Sequence, residues 1–577
     1  KFIWMAKTRK RKLPLDVEEE VQEEASENES DRQEEVFDEF SSFLDTRLNN
    51  KDVDKVKSGS RKPFPFHINS LPAATLSRGI SSCVAPLTEE CSLQKFGWIE
   101  KIVTNLTNTV EKESTDKKDE LKSIMGLIAR YLDVSMITNK KSLYKLGYCS
   151  HALNHVIRTR NLVLRNKKKL EKASNDGEVD DELIETLRDQ GFVRPTVLIL
   201  LPYRKHAYQV VGHIKKLLFG EDAQRVDVLN KSRFEEEFGG RDNDLPTRVK
   251  EDEEDGNSDD CFRVGLALSR KSLKLYTPFD ISDILICSPL GLRMIIGGDE
   301  GKESHLLSSL QLVVVDHADV LLQLNWEHVS LIMNTMHRQT TKMNTDMSRI
   351  RLQYLDGQAS LYCQTLLFSS FRHELFTSLS IGRCNHRGLV TFMPPSEGIL
   401  AKLEIGVCQE LYRVNVHEGT NISDARYAFF KEKILPSLPN HTAIFIPSYF
   451  DYVRLRNVLK KETESFVQCH EYAEEAKINR ARHLFYRGEK KLMLITERFH
   501  HFNRYRITGI HRLVFYQPPS CPSFYSDLIN MCQPTGRLLS TLLYTSSDRI
   551  RMQNIFGFRM GNEILKSEKS VQAIVSE

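Results

Sequence analysis

Seven short, almost wholly apolar runs constrain this chain more than any other feature. They are Val197–Leu201, closed by Pro202; Ile284–Cys287, closed by Ser288-Pro289; Leu312–Val315, closed by Asp316; Thr365–Phe368, closed by Ser369; Ala443–Ile446, closed by Pro447; Leu492–Ile495, closed by Thr496; and Leu513–Tyr516. The apolar residues follow one another without alternation, so both faces of each extended segment must be covered. That is the pattern of strands in a parallel sheet with helices on both sides. Most runs are followed by a helix-compatible stretch. They fall in two clusters, about 195–370 and 440–520, and predict two α/β domains. In open α/β sheets, functional residues gather just past the carboxyl ends of the strands.

The charge of the 577 residues nearly cancels, at +3, but is segregated along the chain. Five of the eight residues Met5–Lys12 are basic, which suits a nuclear or nucleolar address or a nucleic-acid contact. Residues 16–45 then carry fourteen Asp or Glu against one Arg, Arg32. Such a block repels itself and has little to bury, so residues 1–62 are expected to form a disordered basic and acidic tail. Val36, Phe37, Phe40, Phe43 and Leu44 recur in it at helical spacing and could fold onto a partner. Residues 63–130 are expected to be a mainly helical extension, with a charged linker at 111–120. Glu251–Asp260, with seven acids in ten residues, reads as a surface loop. Eleven cysteines lie singly, with no C-x-x-C, so neither a disulfide framework nor a zinc site is expected, and the compartment is a reducing one. No apolar run approaches the ~18 residues of a membrane span. Met5 is the expected translation start.

The strand ends carry motif remnants. Val197–Gln209 (VLILLPYRKHAYQ) resembles the first RNA-contacting motif of DEAD-box helicases, a strand followed by P-T-R-E-L-A-x-Q. Pro202, Arg204, Ala207 and Gln209 match; Tyr203, Lys205 and His206 depart. Asp283–Gly291 resembles the second such motif, with Ser288 for Thr. Val313–Leu321 (VVVDHADVL) resembles the Asp-Glu-Ala-Asp segment through Asp316, His317 and Asp319. Gln364–Phe371 resembles the strand ending in Ser-Ala-Thr, here Ser369-Ser370-Phe371. Arg480–Thr496 resembles the helix, turn and strand before the next motif. Five remnants in the right order imply two RecA-like lobes, expected at 131–395 and 396–577.

The residues that would hydrolyse ATP are missing. Phosphoryl transfer needs a glycine-rich loop ending in Gly-Lys-Ser/Thr. The candidate stretch, Gly147–Arg160, lacks it. The water-orienting carboxylate beside Asp316 is His317. Thr496-Glu497 stands for Thr-Asp, with no Arg-Gly in His500-His501-Phe502. An ungapped match sets Asp527, Leu528, Asn530 and Met531 against the arginine-bearing His-Arg-x-Gly-Arg segment. Loss of an arginine finger alone can cost ~10³–10⁵ in rate. No catalytic residue, cofactor or metal is expected; the pair His500-His501 has no Cys or carboxylate at ligand spacing.

His151–Asn161, Asp189–Arg204, Asn325–Val329, Ile444–Asn457 and Thr496–Tyr516 resemble the digestive organ expansion factor family, also named as a U-three small nucleolar RNA-associated component of the small-subunit processome. The resemblance runs from about residue 125 to the C-terminus. It implies a nucleolar, DEAD-box-like protein without ATPase motifs, acting in processing of small-subunit rRNA with pre-rRNA, the U-three particle and processome proteins as partners, and no membrane.

A helicase core without ATP can still hold RNA. Arg204 and Ser288 sit where the resembled fold touches phosphates; a salt-bridged strand-end residue and a helix N-cap are the plainer readings. Arg498, Arg504 and Arg506 interleave with Phe499, Phe502 and Tyr505, a pattern that suits phosphate contact and base stacking, or core aromatics with solvated arginines. His500, His501 and His511 would add conditional charge. Arg158–Lys172 resembles an amphipathic helix whose positive face meets RNA, an acidic tail or solvent. The competing readings are an active RNA-dependent ATPase with a degenerate site, and a protein scaffold without RNA contact.

Overall fold

The computed structural model describes residues 38–575, except 58–62, 67–70, 73, 80–92, 112, 139–140, 178–179, 221–226, 241–255, 270–271, 298–302, 393–396, 463–464 and 533–537. The basic cluster, the acidic stretch up to residue 37 and Glu251–Asp255 lie outside the described residues. Among the described residues, no helix is long and apolar enough to cross a membrane.

The first lobe is built on β1 (Pro63–Phe66), β2 (Ala74–Arg78), β3 (Asp133–Ile137), β4 (Val197–Leu200), β5 (Asp227–Leu229), β6 (Arg263–Leu268), β7 (Ser272–Leu275), β8 (Ile284–Cys287), β9 (Leu312–Val315), β10 (Gln364–Ser369) and β11 (Gly388–Phe392). They form one sheet in the order β1-β2-β11-β3-β10-β9-β4-β8-β6-β7-β5. Its centre, from β11 to β8, is parallel. The second lobe is built on β12 (Val407–Arg413), β13 (Thr442–Ile446), β14 (Phe466–Cys469), β15 (Leu492–Thr496), β16 (Arg512–Phe515), β17 (Leu538–Tyr544) and β18 (Val571–Val575), in the order β14-β15-β13-β16-β17-β12-β18. Among the described residues, only β18 runs antiparallel in it.

All seven apolar runs are strands of these two sheets, and their continuous hydrophobicity has a direct cause. Val197, Ile199, Ile284, Ile286, Leu312, Val314, Leu366 and Phe368 point into one core. Their neighbours Leu198, Leu200, Leu285, Cys287, Val313, Val315 and Leu367 point into another on the opposite face. The second lobe splits likewise, with Ala443, Phe445, Met493 and Ile495 on one side and Ile444, Ile446, Leu492 and Leu494 on the other. The two lobes are RecA-like, as their strand order and strand-end remnants predict.

One expectation for the N-terminal residues fails. The segment 63–130 is helical over Leu93–Phe96, Glu100–Val110 and Thr115–Ala129, and it also contributes strands. β1 and β2 come from it, and β2 pairs antiparallel with β11. Its helices Glu100–Val110 and Thr115–Ala129 bury Ile102, Leu106, Val110, Leu121, Ile124 and Ile128 in the same core as β4, so the segment completes the first lobe. The expectation of a disordered tail fails for residues 38–57, which form the helices Glu39–Asp45 and Asn50–Lys57. Asp38 caps the first by accepting from the Phe40 and Ser41 amides. Phe40, Phe43 and Leu44 are buried, and the Phe43 ring lies between Tyr131, at 4.5 Å, and His386, at 4.9 Å. Self-repulsion does not prevail because the lobe supplies cations: Arg158 for Asp38, Arg387 for Glu39 and Arg351 for Asp45.

The helix Ala318–Thr335 is broken at Asn325, whose φ of −170° is extended. The Asn325 side chain accepts from the Glu327 amide at 3.0 Å and so restarts the helix, while Trp326 packs on Phe376 at 5.0 Å.

Candidate functional site: the strand ends and the cleft between the lobes

Asp316 follows β9 and is closed from solvent. Its Oδ2 accepts from the Tyr148 hydroxyl at 3.0 Å, and its Oδ1 accepts from the His317 amide at 2.7 Å. Tyr148 is fully buried on the long helix Lys141–Asp176 that follows β3. Burial, and then the negative Asp316, push the Tyr148 phenol well above its ordinary value, so it remains a proton donor. His317 takes left-handed backbone, φ 53°, at the start of its helix, and its ring stacks on His206 at 3.9 Å. A metal-binding carboxylate would need open coordination sites; here the Tyr148 phenol donates to it and the His317 ring lies 3.9 Å away.

The stretch expected to hold a phosphate loop does not lie at a strand end. Gly147–Arg160 is inside the helix Lys141–Asp176, where a Cβ on Gly147 would meet Met125 Sδ at 3.1 Å. β3 ends at Ile137 and the next helix begins at Lys141; the sequence from Thr138 reads Thr138-Asn139-Lys140-Lys141-Ser142. It has no glycine, yet Lys-Ser stands where the helix begins.

Two of the remaining degenerate positions, Asp319 and Ser370, converge, and Ser369 is buried behind them. Ser370 Oγ donates to Asp319 Oδ2 at 2.6 Å, while Ser369 Oγ donates to the Phe371 carbonyl at 2.8 Å. Asp319 and Ser370 open onto a cleft of about 730 Å³ between the lobes, together with Gln323, Lys402, His501, Arg504 and Asp527. Arg504 pairs with Asp527 at 3.0 Å and lies 5.0 Å from the Phe524 ring. His501 carries no conditional charge: burial, followed by Arg504, pushes it down to about 3, and His500 likewise. The cleft thus carries charges of both signs, several already paired.

The RNA candidates do not form one surface. Ser288 is a buried N-cap, accepting from the Gly291 amide at 3.0 Å and from the Phe262 amide at 3.2 Å. Arg204 pairs with Asp259 at 2.9 Å and donates to the Glu237 and Cys261 carbonyls. Both plainer readings therefore describe these two residues. In the arginine-aromatic segment, Phe499 and Tyr505 are core, because the helix Glu497–Asn503 must cover the second sheet, and only Phe502 is exposed. Arg498 lies near Glu471 at 3.9 Å, Arg504 faces the cleft, and Arg506 is exposed on the surface.

Two mostly parallel sheets, with Asp319 and Ser370 of the first lobe and His501, Arg504 and Asp527 of the second lining one cleft, give a DEAD-box-like fold. Two family models match, one described as UTP25, NTP hydrolase-like domain, over residues 130–390, the other as Utp25, C-terminal domain, over residues 399–574. This chain belongs to the U3 small nucleolar RNA-associated protein 25 family, the one its sequence resembles under another name. It is 35% identical over 573 residues to the U3 small nucleolar RNA-associated protein 25 homolog of Xenopus tropicalis, covering 93% of this chain and 73% of that protein. To the mouse homolog of the same name it is 39% identical over 449 residues, covering 74% of this chain; it spans 58% of the mouse protein's length. Among solved structures it is similar to the yeast DEAD-box splicing factor Prp28, at 12% identity and a TM-score of 0.29, covering 87% of this chain and 88% of that one.

Proposed function

We propose that this chain is a non-catalytic, helicase-like ribosome biogenesis factor of the small-subunit processome, acting in the nucleolus. In this reading it supports processing of pre-rRNA to 18S rRNA by holding RNA and protein. The observation that carries the non-catalytic part is the Asp316 carboxylate, occupied by the Tyr148 phenol and flanked by His317 where a second carboxylate would act. The relatives' names support the partners: pre-rRNA, the U3 particle and other processome proteins. A nucleotide titration and an RNA-stimulated ATPase assay test it. The expected result is no turnover above background; RNA-stimulated hydrolysis abolished by His317→Ala overturns it.

One observation favours a second reading, residual nucleotide binding: the Lys141-Ser142 pair after β3. ATP binding lost on Lys141→Ala would establish that reading without restoring an engine. Cross-linking of RNA in cells separates an RNA-holding factor from a scaffold made only of protein contacts, since the latter leaves no adduct on either lobe.

A further inference from the structure

The outer half of the helix Lys141–Asp176 carries Arg165, Lys168, Lys169 and Lys172 at positions i, i+3, i+4 and i+7, which share one face. All four are exposed, and among the described residues none is in an ion pair; Lys167, to one side, pairs with Glu171. Like charges at these spacings repel, so the stripe is held for something other than helix stability. Seven residues before Arg165, Arg158 heads the same face. Its guanidinium is already bound to Asp38 and to the Gly97 carbonyl.

Asp38 is where the acidic tail meets the folded lobe. The chain preceding it, residues 16–37, holds eleven Asp or Glu against one Arg. Phe40, Phe43 and Leu44 anchor that exit point, and Leu162, within the same helix, packs on their cluster. From Arg158 to Lys172 the helix rises about 21 Å, whereas 22 extended residues reach roughly 70 Å. The tail therefore leaves from the head of a positive stripe, is opposite in charge, and is long enough to follow it.

We propose that the acidic segment 16–37 docks along the Arg165–Lys172 face and screens it from RNA phosphates. Tethering makes this an intramolecular contact at high effective concentration. The inference rests on the RNA-holding reading and adds its regulation: RNA reaches this face only by displacing the tail. Charge removal from the tail, or added salt, favours RNA access differently, because salt also weakens the phosphate contacts.

Zero-length carbodiimide cross-linking of the full chain, mapped by mass spectrometry, tests the docking directly. Adducts from carboxylates of 16–37 to Lys168, Lys169 and Lys172 are expected. Adducts confined to lysines on other elements, or none, overturn the proposal. In parallel, the affinity for oligouridylate is measured at low salt with the tail carboxylates changed to amides. Binding about tenfold tighter is expected, and the gain should vanish when Arg165, Lys168, Lys169 and Lys172 are all changed to Gln. Unchanged affinity in the neutral-tail variant also overturns it. Should no variant bind RNA, the RNA reading fails, and the cross-links alone decide the docking.

Discussion

Tyr148 and Asp316 hold each other out of water, and neither is neutral to remove. Tyr148→Phe leaves a buried carboxylate one donor short, which costs about 1–3 kcal/mol. A lowered urea midpoint with unchanged m-value is the expected reading, with no ATPase gained. Ser288→Ala loses a buried N-cap and should cost about 1 kcal/mol, while RNA cross-links stay as they were. Glu39 offers a pH test. Burial, against the pull of Arg387 and Arg130, pushes its carboxyl up to about 7 from 4.5. An acid raised on folding favours the folded form most at low pH. Its contribution is complete below about 4.5 and is lost as the pH rises through 7. Amides of Phe40–Leu44, corrected for intrinsic rates, should exchange faster at pH 8 than at pH 6, and Glu39→Gln should flatten that difference. Asp316, Ser369 and Ser288 were legible as strand-end residues because they close apolar runs, and the N-cap and salt-bridge readings of Ser288 and Arg204 followed from residue type. Their partners, the Gly291 amide and Asp259, were not legible, since a motif gives the residue and not what packs beside it.

At the scale of elements, strands buried on both faces announce themselves, and those with polar or short sequences do not. β3 starts with Asp133, whose carboxylate accepts from the Thr365 and Asn385 amides, at 2.6 and 2.7 Å. Its polarity is internal bonding that no local pattern shows. The helix Glu39–Asp45 was hidden for a related reason: its neutralising arginines lie at 158, 351 and 387, far along the chain. Its hold on the lobe rests on Phe43. Phe43→Ala removes a ring seated between Tyr131 and His386, and a loss of about 3–5 kcal/mol is expected. Limited proteolysis should then cut within 38–57 faster than in the parent, with the two lobes still resistant.

Across the whole molecule, the lobes touch beside the cleft. Asn554 donates to the Arg372 carbonyl at 2.7 Å, and Arg551 lies 3.7 Å from Glu374. Of the five RNA candidates drawn from the sequence, Arg506 is exposed and free of the cleft's paired charges. Arg506→Glu should weaken RNA cross-linking in cells without lowering the melting temperature. Arg204→Glu should lower the melting temperature instead, since it sets a carboxylate against Asp259. Two-lobed architecture was readable from spacing alone; which arginine faces outward depended on how helices settle over each sheet.

The helix Lys141–Asp176 has 36 residues, about 54 Å of continuous rod. Tyr148, about two turns from its start, donates to Asp316 at the end of β9 and ties that end of the rod to the sheet. The chain can then act as a spar, setting the spacing between whatever grips the tip and whatever lies against the body.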